Sequence, residues 1–153
     1  MRRILLAALF AAAGPAHATA IGEAFTPILV AVTLSPKAAD RLNRSRDPVQ
    51  VTAYYSFRPP FRIARTLPEG EIPLGRETVP IRSDSARARL VGDGYTPDTI
   101  DPLMAGQRRV LVNVYSGRDG GPLNVLDCGI FEGTLREAAA RPIPIECRLI
   151  GEE

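Results

Sequence analysis

Apolar side chains fall on alternate positions through much of this chain. Ile28, Val30, Val32 and Leu34 share one side of a stretch whose other side carries Leu29, Ala31 and Thr33, the period of a β-strand. Val49, Val51, Ala53, Tyr55 and Phe57 alternate with Gln50, Thr52, Tyr54 and Ser56, the cleanest period-2 stretch in the protein and a second strand. Between them, Ser35-Pro36 supplies an N-cap and a proline at the first helical position, so a short helix runs through Lys37, Ala38, Ala39 and Leu42. Asp47-Pro48 returns the chain to strand.

Pro59 and Pro60 cannot donate to a ladder, so the second strand stops there or becomes an edge. Phe61 to Thr66 reads as a short strand, and Leu67 to Gly75, punctuated by Pro68, Gly70 and Pro73, as an exposed connection. Thr78 to Ile81 and Ala86 to Val91 follow as two further strands, then a long irregular region from Gly92 to Gly106. Val110, Val112 and Val114 alternate with Leu111, Asn113 and Tyr115, a strand apolar enough on both faces to be central. Gly117, Gly120, Gly121 and Pro122 turn the chain into a strand from Leu123 to Phe131. Thr134-Leu135-Arg136-Glu137 is a capping box that opens a helix of about two turns toward Ala140. Ile143 to Ile150 is the last strand, and Pro144 marks it as an edge. The direction of the last two strands is left open.

Seven or eight short strands with two short helices predict an all-β fold, a single β-sandwich of immunoglobulin-like or transthyretin-like type. Its core is expected to hold Ile28, Val30, Val32, Val49, Val51, Tyr55, Val112, Val114, Leu126, Ile130, Ile145 and Leu149. Glycine and proline, 13 and 14 in the chain, are spread between these strands as turns and do not gather in one linker.

The N-terminus follows a different pattern. Met1-Arg2-Arg3, the apolar run Ile4 to Ala13, and Ala16-His17-Ala18 have the layout of a secretory signal peptide, cut after Ala18 or, in a second frame, after Ala20. Residues 19–153 then form the mature domain, exported to the bacterial periplasm or secreted. Of 19 basic and 17 acidic residues in the chain, Arg2 and Arg3 leave with the signal, so its apparent net charge of +2 falls to zero. A neutral domain gives no argument for nucleic acid as a partner. No cysteine sits just after either cleavage site, and no later segment approaches the roughly 20 apolar residues of a membrane span.

Loss of His17, the only histidine, excludes Ser-His-Asp and Cys-His nucleophilic sites and histidine-based metal or haem ligation. Lys37 is the only lysine and has no supporting motif. Cys128 and Cys147, 19 residues apart with no Cys-x-x-Cys character, predict one structural disulfide in an oxidising compartment. No cofactor is expected. Asp93, Asp98 and Asp101 crowd one loop and offer oxygen ligands to calcium, but their spacing matches no EF-hand, and ordinary turn chemistry is the expectation. Glu69, Glu71 and Glu77 offer the carboxyl pair that glycoside hydrolysis needs, in a chain without tryptophan platforms.

The segment from Tyr54 to Arg62 concentrates four aromatics, two arginines and two prolines in nine residues. Tyr54 falls on the face opposite Tyr55 and Phe57, and Phe61 lies beyond the prolines where the strand has ended; Tyr54, Arg58, Phe61 and Arg62 are the expected binding residues, since tyrosine and arginine are favoured at interface hot spots. The expectation is therefore a small exported, non-enzymatic binding module. Its partner would be another envelope protein or a peptide, met through an edge strand and this segment. The alternatives are a carboxylate-dependent hydrolase and a structural envelope protein.

Overall fold

The computed structural model of the chain describes residues 25–82, 87–97, 100, 106–117 and 124–152. The expected export signal and both cleavage positions lie outside these residues, as do Asp98 and Asp101. Alternation makes β2 (Val49–Arg58) the spine of one sheet, with Val49, Val51, Ala53, Tyr55 and Phe57 buried on its core face. β3 (Ile72–Ile81) and β5 (Gln107–Ser116) flank β2 antiparallel, and β7 (Phe131–Thr134) pairs antiparallel with β5. In the second sheet β1 (Ile28–Leu34) and β8 (Ile143–Leu149) run parallel at the centre. β4 (Arg87–Leu90) lies antiparallel to β1, and β6 (Leu126–Cys128) antiparallel to β8. The orders β3-β2-β5-β7 and β4-β1-β8-β6 make the expected β-sandwich of two four-stranded sheets. Its first two strands lie in opposite sheets, whereas in the immunoglobulin constant-type layout they are neighbours.

The expected core is buried at ten of its twelve positions or packed against them, and Leu42 of α1 (Pro36–Ser45), Leu74, Leu90 and Val110 join it. Each such aliphatic side chain contributes about 1.5–3 kcal/mol by leaving water. α1 starts as its sequence requires: the Ser35 hydroxyl accepts from the Ala38 N–H at 3.1 Å, with Pro36 in the first turn. α3 (Leu135–Ala140) opens on the capping box, with Thr134 and Glu137 each accepting from the other's backbone N–H.

Four expectations fail for local reasons. The exposed connection expected from Leu67 to Gly75 stops short, because β3 begins at Ile72 and Leu74 is buried. Phe61 to Thr66 is not a strand: Pro60 ends β2 and its carbonyl accepts from Ile63 and Ala64, so residues Phe61–Ala64 form a turn of helix, α2. The strand expected from Leu123 to Phe131 is two strands in different sheets, and Ile130, at the crossing, is 66% exposed instead of core. The last strand is not an edge, since β8 sits between β1 and β6. Its proline is accommodated by the alternation of backbone groups. The Cys147 carbonyl accepts from Ser35, on the β1 side, and the Glu146 carbonyl from Gly129, on the β6 side. Pro144, two residues before Glu146, therefore turns its missing donor toward β6, which reaches only Cys147 to Leu149 of the ladder.

That same alternation places the disulfide. Cys128 and Cys147 face each other across β6 and β8 with Cα atoms 4.1 Å apart, in the pair class whose side chains approach closest. No helix among the described residues is long and apolar enough to cross a membrane.

One irregularity decides what the carboxylates of β3 can do. Tyr55 faces Gly75 but Ser56 faces Pro73, so Leu74 is an extra residue and β3 bulges. Gly75, at φ 124°, is needed here, because a Cβ would stand 1.8 Å from the Gly94 carbonyl oxygen. The bulge inverts the parity of the strand. Glu77, opposite Ala53, points into the core, and Glu71 points to the outer face with Ser56 and Arg58.

Candidate interaction surface

The outer face of the β3-β2-β5-β7 sheet gathers charge where β2 ends. Register sets Ser56 opposite Arg109 of β5, and Arg109 opposite Thr134 of β7, with Glu132 two residues before Thr134. Arg58 Nη2 lies 2.5 Å from Glu71 Oε1 and 3.8 Å from Glu132 Oε1. Arg109 Nη2 donates to Glu132 Oε1 at 2.7 Å, and the Ser56 hydroxyl donates to Glu71. These side chains line a cleft of about 170 Å³ together with Glu69, Val110 and Leu111.

The two arginines differ in exposure. Arg58 is open, its side chain 47% exposed, whereas that of Arg109 is 16% exposed. Arg109 Nε is enclosed with no hydrogen-bond acceptor, the one buried side-chain nitrogen or oxygen in that condition among the described residues; Glu71 Oε1 is 3.5 Å away. A buried donor left unpaired costs about 1–3 kcal/mol, and half-exposed ion pairs return about 0–1 kcal/mol. The cluster is therefore a poor device for stabilising the fold.

Beyond Arg58 the chain turns through α2, where Phe61 is 80% and Ile63 40% exposed beside the exposed Arg62 and Arg65. Tyr54, 42% exposed, stands on the sheet face between Arg76 of β3 and Leu111 of β5. Of the residues singled out from sequence, Tyr54 and Arg58 thus share the sheet face, and Phe61 and Arg62 lie on the connection that follows. Ser56, Arg109 and Glu132 were not singled out. Arg109 reads as the solvated start of a strand, and only its parity with Leu111 and its pairing with Ser56 mark it as part of a site.

Of the three expected carboxylates, Glu69 and Glu71 line this cleft together and Glu77 does not. Glu69 is exposed, Glu71 is bound to arginine on the outer face, and Glu77 is 6% exposed on the core side. Glu77 Oε1 accepts from the Val91 N–H at 2.9 Å, and Oε2 accepts from the Gly92 N–H and the Tyr55 hydroxyl, both at 2.8 Å. It ties the end of β4 to β3 across the two sheets. The Tyr55 ring packs with Phe25 and Tyr95 at centroid distances of 5.5 and 5.2 Å. Burial, then the hydrogen bond to Glu77, pushes the Tyr55 hydroxyl far above the usual tyrosine range.

Asp93 is exposed in a turn, and no group of three potential metal ligands occurs among the described residues. A larger cavity, about 370 Å³, lies near the end of α1 between Arg46, Asp47 and Arg82, away from the predicted site residues. No protein-family model, curated protein or solved structure gives a significant match to the chain.

Proposed function

We propose that this protein is a non-enzymatic binding module of the bacterial periplasm or cell envelope, which docks another envelope protein or a peptide through the outer face of the β3-β2-β5-β7 sheet and the connection after β2. The observation that carries the reading is the concentration of exposed Tyr54, Phe61 and Ile63 beside Arg58 and Arg62 at one end of the sandwich. Aromatic and arginine side chains join large contact area to directional hydrogen bonding and dominate interface energetics. Binding is favoured over carboxylate-driven hydrolysis because Glu71 is engaged by Ser56, Arg58 and Arg109, while Glu77 is enclosed in the core. An oxidised Cys128–Cys147 pair supports placement in an oxidising compartment.

Affinity capture from the envelope fraction tests the reading. The wild type should retain a partner that the Tyr54→Ala/Arg58→Ala variant loses, with thermal unfolding of the two proteins alike. Equal recovery by a folded double variant would sink the proposal.

A further inference from the structure

We infer that the partner segment at this surface is an acidic peptide, an inference that rests on the binding reading above. Register brings the start of β5 beside the end of β2, with Phe57 opposite Arg108 and Arg58 opposite Gln107. Arg58 and Arg109 thus share the outer face at this end of the sheet, Arg108 falling on the opposite face by parity, and the connection leaving β2 adds Arg62 and Arg65. Near these four arginines stand Glu69, Glu71 and Glu132 in the cleft and Glu137 beside Arg109. Glu71 and Glu132 are already engaged by Arg58 and Arg109, while the Arg62 and Arg65 side chains form no salt bridge among the described residues. Of these four, the arginines that form no salt bridge among the described residues thus lie on α2 and its C-terminal flank, next to the exposed Phe61 and Ile63.

Charge of this sign attracts carboxylates and speeds their encounter, and guanidinium groups bind them in forked hydrogen bonds. The distribution also discriminates among anions. A nucleic acid presents a continuous line of phosphates, which the interposed Glu71 and Glu132 would repel. A peptide carries separate carboxylates with apolar side chains between them, matching arginines that alternate with Phe61 and Ile63. Arg58, bound to Glu71 but about half exposed, is the more open of the two arginines on the sheet face.

The test is fluorescence anisotropy of the purified full chain with three labelled dodecapeptides that share one leucine and differ in being Asp/Glu-rich, Asn/Gln-rich or Lys-rich, plus a labelled oligothymidylate. The acidic peptide should bind at least about tenfold more tightly than the other three, a difference of about 1.4 kcal/mol. Its affinity should fall when salt rises from about 0.1 M to about 1 M, shortening the Debye length from about 10 Å to about 3 Å. Arg62→Gln/Arg65→Gln, on exposed positions, should weaken it about tenfold without shifting thermal unfolding. Equal or tighter binding of the neutral peptide, the basic peptide or the oligonucleotide overturns the acidic assignment, as does absence of acidic-peptide binding. If the assignment fails while the Tyr54→Ala/Arg58→Ala variant still loses the captured envelope partner, the interaction surface stands without it. If capture is also unchanged, both fall.

Discussion

Glu77→Gln is the substitution whose cost follows most directly from the geometry. The carboxylate receives three donors, Val91 N–H on one oxygen and Gly92 N–H with the Tyr55 hydroxyl on the other. Glutamine offers one oxygen, so at least one donor must face its NH₂ group. A buried donor left without an acceptor costs about 1–3 kcal/mol, and the remaining bonds lose their charge assistance, worth about 1 kcal/mol each. Relief from burying a charge acts in the opposite direction, and it returns part of this. The balance is a loss of about 2 kcal/mol, or about 6 °C in melting temperature for a domain of this size. Glu77→Ala, which removes every acceptor, should cost about 4 kcal/mol. Urea unfolding with the disulfide intact measures both. Hydrogen exchange gives the local signature, since the Val91 and Gly92 amides should lose protection ahead of the β2 amides. A glutamine variant within about 0.5 kcal/mol of wild type, with those two amides still protected, would refute the role of Glu77 as the tie between β3 and β4.

Other outcomes follow from single contacts. Tyr55 stays neutral in the folded protein while the unfolded chain ionises near pH 10, so its stabilising contribution is whole below that pH and declines above it by up to about 1.4 kcal/mol per pH unit; Tyr55→Phe should flatten the alkaline limb of a stability–pH profile. Replacing Cys128 and Cys147 by alanine opens a loop of sequence separation 19 and should cost about 3 kcal/mol, read as a lower urea midpoint. Thr134→Ala removes the N-cap of α3 and should cost about 1 kcal/mol. The Thr134 backbone and hydroxyl hydrogen bonds hold the Glu137 carboxyl below its usual range, so the reciprocal contact is complete at neutral pH and weakens as acid protonates Glu137. The difference between wild type and the Thr134→Ala variant should therefore shrink on acidification.

The fold was legible in proportion to how far period-2 alternation ran unbroken. β1, β2 and β5 alternate over seven to ten residues, and their faces follow parity, apart from the small Thr52 and Gln50 buried on the outer side of β2. Failures came where backbone geometry, which side-chain pattern does not encode, changed the rule. Pro144 signals an edge only if its nitrogen faces a paired strand, and in β8 it faces the side that β6 leaves unpaired at that position. Leu126, Cys128 and Ile130 alternate in sequence, but the chain changes sheets after Cys128, so parity carries no meaning for Ile130. α2 follows from the Pro60 carbonyl receiving two backbone donors, and a short apolar run after two prolines fits a strand or a helical turn equally.

The site was half legible for a related reason. Tyr54 and Arg58 were visible because β2 is regular, and their exposure follows from being one residue out of phase with the buried set. Arg109 joins Arg58 around Glu71 and Glu132 only through the pairing of β2 with β5 and of β5 with β7, which local pattern cannot register. Glu71 and Glu77 sit six residues apart, so unbroken alternation would put them on one face. The extra residue at Leu74 sends one outward to the arginines and the other inward to Tyr55. A single bulge thus sends the two carboxylates to opposite faces, one into a surface ion cluster and the other into a buried tie, and Gly75 is the residue that permits it. Gly75→Ala should disturb both together, since its Cβ would push the Gly94 carbonyl away from β3 and drag Val91 and Gly92 off Glu77.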